Sequence, residues 1–436
     1  AFLFAANAGV FVATSQGNAG PGAQTTGTPA GVPWITAVGA IEDDQVFGTG
    51  LMVSDPSSIA DLYGGLEGTG PVRLADTGDI TASVVPAEPH NGCSALTNPG
   101  DLAGNIALVI RGACGFIDKY NNAAAAGAQA IVVYNDGTSP TRMDPIFMGG
   151  LDGATIPGIM IGHLDGDLIN TTAASETVTG TVGPSISISR ENRIAGFSSR
   201  GPNGGAPDII KPDVVAPGVQ ILAAQTPDPN DGQPAGEYFQ IIGGTSMASP
   251  HVAGAFAMLK QAHPDWTPAM AKSALMTTAR QDLMKTWGDM AADPFDKGAG
   301  HIMPNGAFDP GLAYDAGLYE YAAFTCGADL GIFTPGSCDF LASIGVPFDA
   351  SDLNLPSIGI AELLGQQTVT RTVTNVANNN GFKSFQVSVD PPPGIDVVVT
   401  PSNIKLKRGQ SATYEVTFTA TSEAVVEEWA FGSLTW

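Results

Sequence analysis

The chain has 436 residues, long enough for two or three domains. Its 42 acidic and 18 basic residues leave a net charge of −24, which argues against a nucleic-acid or anionic-membrane partner because nothing supplies a basic footprint. Only 14% of residues are charged and 43% are hydrophobic, so the composition is that of a packed globular protein with an acidic surface, not of a disordered chain.

Taken in chain order, Phe2 to Thr14 reads as a helix end followed by a strand over G-V-F-V-A-T, apolar on both faces as a buried parallel strand should be. The stretch lacks a basic start and an initiator Met, which sets it apart from a signal peptide. The loop S-Q-G-N-A-G-P follows. Gly17 and Gly20 suit its turn and Pro21 stops the strand. Asn18 projects from the carboxyl end of that strand, where α/β sheets place their chemistry. By the residues alone it also reads as an ordinary turn asparagine.

From about Val53 to Pro184 the chain gives short strands, a helix and polar turns. I-A-L-V-I (Ile106 to Ile110) is a short buried strand, and Arg111 opens the turn R-G-A-C-G-F. The spacing predicts a helix over Asp118 to Ala130, ending near Gly127 as its C-cap, and then a second buried strand in A-I-V-V-Y. Lys211, Pro212 and Asp213 read as a surface charge pair beside a strand, structural in role. Thr267-Pro268 reads as a helix start with proline in the first position. From about Phe340 the period becomes two. The strands are Thr368–Val376, Phe385–Val389, Ile395–Val399 and Ala412–Thr419, set between Pro and Gly turns, which predicts a small β-sandwich.

The four cysteines form two close pairs, Cys93 with Cys114 and Cys326 with Cys338. Neither pair has C-x-x-C spacing, and His90 is the only histidine near any of them, so two local disulfides in an oxidising compartment are preferred over metal ligation. Each would close a short loop, a constraint worth on the order of 3 kcal/mol. Four cysteines allow three connectivities, and spacing alone leaves the choice open.

The richest stretch is G-G-T-S-M-A-S-P-H-V-A-G, Gly243 to Gly254. Apolar residues continue at helical spacing through Ala255, Phe256, Met258 and Leu259. Thr245 is expected as the N-cap, which sets Ser246 in the first turn of a buried helix, at the positive end of its dipole. That placement suits a nucleophile whose attack creates an oxyanion. Helix-start chemistry alone would equally explain Thr and Ser as caps. The full string, however, closely resembles the nucleophile motif of the subtilisin-like serine proteases. It is not the G-x-S-x-G elbow, because Ala248 stands where the second glycine would be.

Further strings match that family in order: W-I-T-A-V-G-A (Trp34 to Ala40), R-I-A-G-F-S-S-R-G-P (Arg193 to Pro202), D-I-I-K-P-D-V-V-A-P-G (from Asp208) and D-K-G-A-G-H-I-M-P-N (Asp296 to Asn305). The resemblance implies an α/β fold: a subtilisin-like parallel sheet flanked by helices, in two parts, 1–52 and 186–325. It implies an inserted protease-associated (PA) domain over 53–185, acting as a lid or exosite or only as a spacer, and a fibronectin type III-like sandwich over 340–436, as in plant-type subtilases. It assigns the oxyanion-hole role to Asn18 and the primary specificity wall to the backbone of Ser15, Gln16 and Gly17. It implies a secreted endopeptidase that acts on protein or peptide substrates through an acyl-enzyme on Ser246, with no cofactor. Calcium is common in the family, yet no D-x-D-x-D-G string marks a site.

A Ser-His-Asp site also needs a base and a carboxylate. In the family both precede the oxyanion asparagine, and none of the seventeen residues before Asn18 is Asp or His. Asp76-Thr77-Gly78 and His90-Asn91-Gly92 copy the look of the family strings, but both lie inside the inserted region. His251, five residues after Ser246, is expected to be a packed structural histidine, and His163, His263 and His301 have no nucleophile motif beside them. The Asp and His are therefore expected on a separate upstream segment, and 1–436 alone is expected to be inactive. A non-catalytic peptide-binding homologue is the other reading.

Overall fold

The computed structural model describes residues 1–436 except 43–45, 139–141, 144, 147, 184–185, 189–191, 227–237, 286–289 and 379–380. The chain divides into two units, one formed by Ala1–Glu42 with Asn192–Trp436 and the other by Asp43–Glu191.

In the first unit a three-stranded parallel sheet has Thr36–Ile41 in the middle, Ala13–Ser15 on one side and Val214–Pro217 on the other. The central strand is buried along its whole length. The helix Thr245–Ala262 lays Ala248, Val252, Ala255, Phe256 and Leu259 against Val38, Ala40, Val214 and Ala216. Small strand residues let the helix approach, and the i, i+4, i+7 spacing of its apolar side chains supplies the stripe that packs there. The first strand is shorter and less covered than its apolar sequence predicts. The helix Phe2–Asn7 and the left-handed Gly9 occupy the region before it, and Ala13–Ser15 is half-buried at the sheet's edge. Thr267 caps the helix Pro268–Thr277 by accepting from the Met270 N–H, as the sequence predicts.

Lys211 and Asp213 are not on the surface. Both are buried, and Lys272 joins them from the helix Pro268–Thr277. Asp213 takes Lys211 Nζ on Oδ2 and Lys272 Nζ on Oδ1, each at 2.6 Å, and its Oδ2 also accepts from the Ala37 N–H of the central strand. Lys272 donates further to the carbonyls of Pro33 and Ile35. A buried carboxylate needs such partners, because desolvation without them costs more than folding can spare. Burial first, and the neighbouring Lys272 cation with it, lowers the Lys211 pKa to about 7 against the pull of Asp213. Between about pH 7 and the ordinary lysine value of 10.5 the unfolded chain therefore holds a proton that the folded one does not, so stability rises with pH across that window. The thermal midpoint of the wild type is expected to gain more between pH 7 and 9 than that of Lys211→Met. Equal gains in the two proteins would contradict the assignment.

Two helices, Leu318–Gly327 and Pro335–Ser343, follow, so residues 340–343 are helical and the two-residue period expected from about Phe340 begins only with the strand Gln366–Asn375 of a β-sandwich. Leu312–Tyr314, Gln366–Asn375, Ser411–Ala420 and Ile395–Thr400 form an antiparallel sheet in that order. Phe382–Gln386 pairs with Asn403–Lys407, and Ser388–Asp390 with Ser433–Thr435. Val369 and Val373 face the core while Thr368 and Thr370 are exposed, the alternation that a two-residue period produces. Arg371 breaks the apolar series and is buried, its guanidinium donating to the carbonyls of Ser351, Leu355, Ser357 and Thr370. Cys326 and Cys338 are joined in a disulfide.

The second unit is a mixed sheet closed on itself. Its order is 186–188, Val46–Asp55, Leu62–Glu67, Gly158–Ile161, Ala130–Tyr134, Ile106–Ile110, Ile80–Pro86 and Thr179–Val182, and the last pairs back with Val46–Asp55. Strand pairing thus runs past 53–185 at both ends, through Val46–Asp55 and 186–188. Ile106 and Leu108 enter one apolar cluster, Ala107 and Val109 another that includes Tyr120 and Ala123 of the helix Phe116–Ala125. That helix starts two residues before the predicted span. It stops at Ala125, with Gly127 just beyond its end at φ +84°. Cys93 and Cys114 form the second disulfide. Among the described residues no helix is long and apolar enough to cross a membrane.

Candidate active site

Ser246 is exposed in the first turn of the helix Thr245–Ala262. In that turn the helix has no carbonyl to offer the Ser246 N–H. The N-cap is Gly244, not Thr245 as expected from the sequence, and having no side chain it offers no cap of its own. The Gly244 N–H is held by the Gly218 carbonyl at 2.7 Å, which anchors the helix mouth on the end of the Val214–Pro217 strand.

The Thr245 hydroxyl is engaged elsewhere. It accepts from the Gly17 N–H at 3.2 Å and donates to Asn18 Oδ1 at 2.8 Å. Asn18 Oδ1 also accepts from the Thr245 N–H at 2.9 Å. Two donors, one of them a backbone amide, fix which end of the carboxamide is oxygen. The Asn18 Nδ2 group is thereby left as a donor at the helix mouth, 3.5 Å from the point a Cβ on Gly244 would occupy. The structure thus brings Asn18 and the Ser246 turn together from positions 227 residues apart.

The loop that carries Asn18 is locked by the string Phe197 to Ser199. Ser199 Oγ accepts from the Ala19 N–H, the Gly17 carbonyl accepts from the Ser199 N–H, and the Phe197 carbonyl accepts from the Gly20 N–H. Gly17 sits at φ +115°, a left-handed conformation that favours glycine, and a Cβ on Gly20 would lie 1.9 Å from the Ser198 carbonyl oxygen. Ser198 Oγ meanwhile accepts from the Ala40 N–H of the central strand. Ser198, Ser199 and Thr245 are the positioning residues that sequence reasoning passed over. The string F-S-S-R-G-P was visible, but nothing local shows that the Ser199 hydroxyl meets a loop 180 positions earlier while that of Ser198 meets the central strand.

Ser15, Gln16 and Gly17 run from the end of the first strand into Asn18. Gln16 donates its N–H to the Val38 carbonyl, gives its carbonyl to the Gly27 N–H, and turns its buried side chain to the Thr26 hydroxyl. Its Oε1 is buried with no hydrogen-bond partner among the described residues.

Among the described residues no histidine or carboxylate is hydrogen-bonded to the Ser246 hydroxyl. His251 is exposed on the helix, with Nδ1 on the Met247 carbonyl at 2.9 Å; the packed position expected for it is taken by Val252. His263 stacks on Trp266 and meets the Phe308 carbonyl, while His163 meets the Asn135 carbonyl. In the second unit His90 Nε2 lies 2.7 Å from the Tyr134 hydroxyl, and burial lowers its pKa. No group of three His, Cys, Asp or Glu among the described residues is arranged to hold a metal ion.

The subtilase family model matches residues 2–306, and a fibronectin type-III domain model matches 352–436. Subtilisin-like protease SBT2.5 of Arabidopsis thaliana is 33% identical over 493 residues, 99% of this chain and 57% of that protein. Subtilisin-like protease SBT3.9 of the same plant is 35% identical over 454 residues, 98% of this chain and 56% of that one. The chain therefore spans a little over half the length of these relatives. Among solved structures, the psychrophilic subtilisin-like protease Apa1 from the Antarctic psychrotroph Pseudoalteromonas sp. AS-11 aligns with 71% of this chain and 65% of its own, at 17% identity and a TM-score of 0.33. On the match over residues 2–306, the chain belongs to the subtilase family and carries a fibronectin type III domain behind its subtilase domain.

Proposed function

We propose that this chain is part of a secreted serine endopeptidase in which Ser246 is the nucleophile and Asn18 an oxyanion donor. The observation that carries the reading is the pair of hydrogen bonds from Thr245 to Asn18 Oδ1, which leaves the Asn18 NH₂ beside the serine turn. Ser246 Oγ attacks the peptide carbonyl carbon and its proton passes to a base. The carbonyl oxygen becomes an oxyanion held by Asn18 Nδ2–H and the Ser246 N–H, at the positive end of the helix. Collapse breaks the C–N bond, the amine leaves with the proton, and water then hydrolyses the acyl-enzyme. Ser15, Gln16 and Gly17 wall the pocket for the substrate side chain.

The base and its orienting carboxylate are supplied by chain outside residues 1–436, a reading supported by the chain's spanning only a little over half the length of its relatives. Residues 53–185 serve as a PA domain, supported by the R-G-A-C-G-F turn and the closed sheet around it. Secretion is supported by two disulfides, which persist in oxidising compartments. Substrates are proteins or peptides.

A fluorophosphonate probe is expected to label the whole protein on the peptide containing Ser246, to leave Ser246→Ala unlabelled, and to leave 1–436 alone unlabelled. Failure to label the whole protein would favour a non-catalytic binding role instead.

A further inference from the structure

The second unit holds a cavity of about 390 Å³ that the chemistry above does not use. Its lining is Arg111, Arg142, Phe116 and the turn 112–115. Two cations in one small cavity stand out in a chain with 18 basic and 42 acidic residues.

The two arginines are held differently. Arg142 pairs with Asp136, whose Oδ1 takes the N–H and hydroxyl of Thr138. Arg111 has no carboxylate within ion-pairing distance among the described residues. Its Nη1 donates to neutral Asn135 Oδ1 at 3.0 Å, and its guanidinium lies 5.9 Å from the centre of the Phe116 ring. Burial, then the nearby Arg142 cation, pulls the Arg111 pKa below its usual value, against the weaker effect of Asp136. Around the wall Arg111, Arg142 and Lys119 face the carboxylates of Asp136 and Asp118, an excess of one positive charge. That excess fits a monoanion, whose charge would relieve the repulsion between the guanidiniums.

The wall is also rigid. Cys114 is tied to Cys93, and Lys119 Nζ donates to the carbonyls of Gly112, at 2.8 Å, and Asn91. Ala113 is held at φ +67°, a conformation that non-glycine residues adopt only where their surroundings impose it. The helix Phe116–Ala125 starts at this wall with Gly115 as N-cap and no side-chain cap, so its uncapped N–H groups add a positive field. Asp118 in its first turn opposes that field from an exposed position. A carboxylate fills only a fraction of the volume. The Phe116 ring and Ala113 bound the rest, which leaves room for the residue that bears the carboxylate.

We propose that this cavity binds the carboxylate of a peptide, either a chain terminus or an acidic side chain, between Arg111 and Arg142. The proposal stands on the second unit alone and does not need Ser246 to be a nucleophile.

Calorimetric titration at pH 7 of the whole protein carrying Ser246→Ala tests it. The probes are acetyl-Gly-Phe with a free carboxylate, the same peptide as its amide, acetyl-Asp-Phe-amide, and inorganic phosphate. Saturable binding of the free acid, at least tenfold tighter than its amide, is expected if the ligand is a terminus. The same margin for the Asp peptide is expected if it is a side chain. Arg142→Gln should weaken the preferred peptide at least fivefold and Arg142→Lys should restore much of it. Arg111→Gln should act as Arg142→Gln does, and Arg142, outside the disulfide-tied turn, keeps the test readable if Arg111→Gln unfolds that turn. Equal binding of acid and amide, no saturable binding of either carboxylate peptide, tighter binding of phosphate, or no change in Arg142→Gln would each overturn the proposal.

Discussion

Replacing Asn18 with leucine in the whole protein is expected to lower kcat by about 100- to 1,000-fold while KM stays nearly constant. Removing one oxyanion donor raises the barrier by about 3–4 kcal/mol, because charge develops on that oxygen only in the transition state. Leucine matches asparagine in size and loses both ends of the carboxamide. Thr245 is buried, so leucine leaves its N–H and hydroxyl without their acceptor at a cost of about 1–3 kcal/mol, and kcat is read on the folded protein. Asn18→Asp keeps the acceptor for Thr245 but replaces the donor with a negative charge, and should be no better than leucine. A large rise in KM at unchanged kcat would place Asn18 in ground-state binding and contradict its role.

Asp213→Ala is expected to destabilise the unit formed by 1–42 and 192–436 by about 3–5 kcal/mol, the usual cost of breaking a buried ion pair by removing one partner. The size follows from what remains. Lys211 and Lys272 would share a dry site with no carboxylate, and the Ala37 N–H would lose its acceptor. The exposed pair Arg280–Asp282 is the control: Asp282→Ala should change stability by less than about 1 kcal/mol, because water screens both charges. Urea midpoints of the three proteins decide the matter. If Asp213→Ala unfolds no more readily than Asp282→Ala, the buried cluster is not what holds the sheet edge to the helix Pro268–Thr277.

The same cluster shows where local reading stops. Lys211-Pro212-Asp213 looks like a solvated charge pair, because nothing within the tripeptide announces Lys272. Burial is decided by that third charge, 61 positions (272 − 211) further on. Thr245 fails in a similar way. A threonine beside a helix start is a sound N-cap by propensity, but a carboxamide from a loop 227 residues earlier takes its hydroxyl. His251 precedes a run of apolar residues, which suggests a packed position. A helix turns about 100° per residue, so Val252 faces the core and His251 the solvent.

Features set by short-range physics were legible. The two-residue alternation of Gln366–Asn375, the Thr267-Pro268 helix start and the helix through Ser246 all follow from neighbouring side chains. The three-residue strand Leu312–Tyr314 was not, being too short to show a period and defined by its partner Gln366–Asn375. Asn18 stands between these cases. Its turn was readable from glycines, its chemistry only from the resemblance, and its partner only from the fold.

A crystal structure of the whole protein with a phosphonate bonded to Ser246 Oγ examines the pocket directly. The phosphonyl oxygen should lie about 2.7–3.1 Å from both Asn18 Nδ2 and the Ser246 backbone nitrogen. An oxygen directed away from Asn18, or an Asn18 side chain released from Thr245 in the adduct, would contradict the oxyanion assignment.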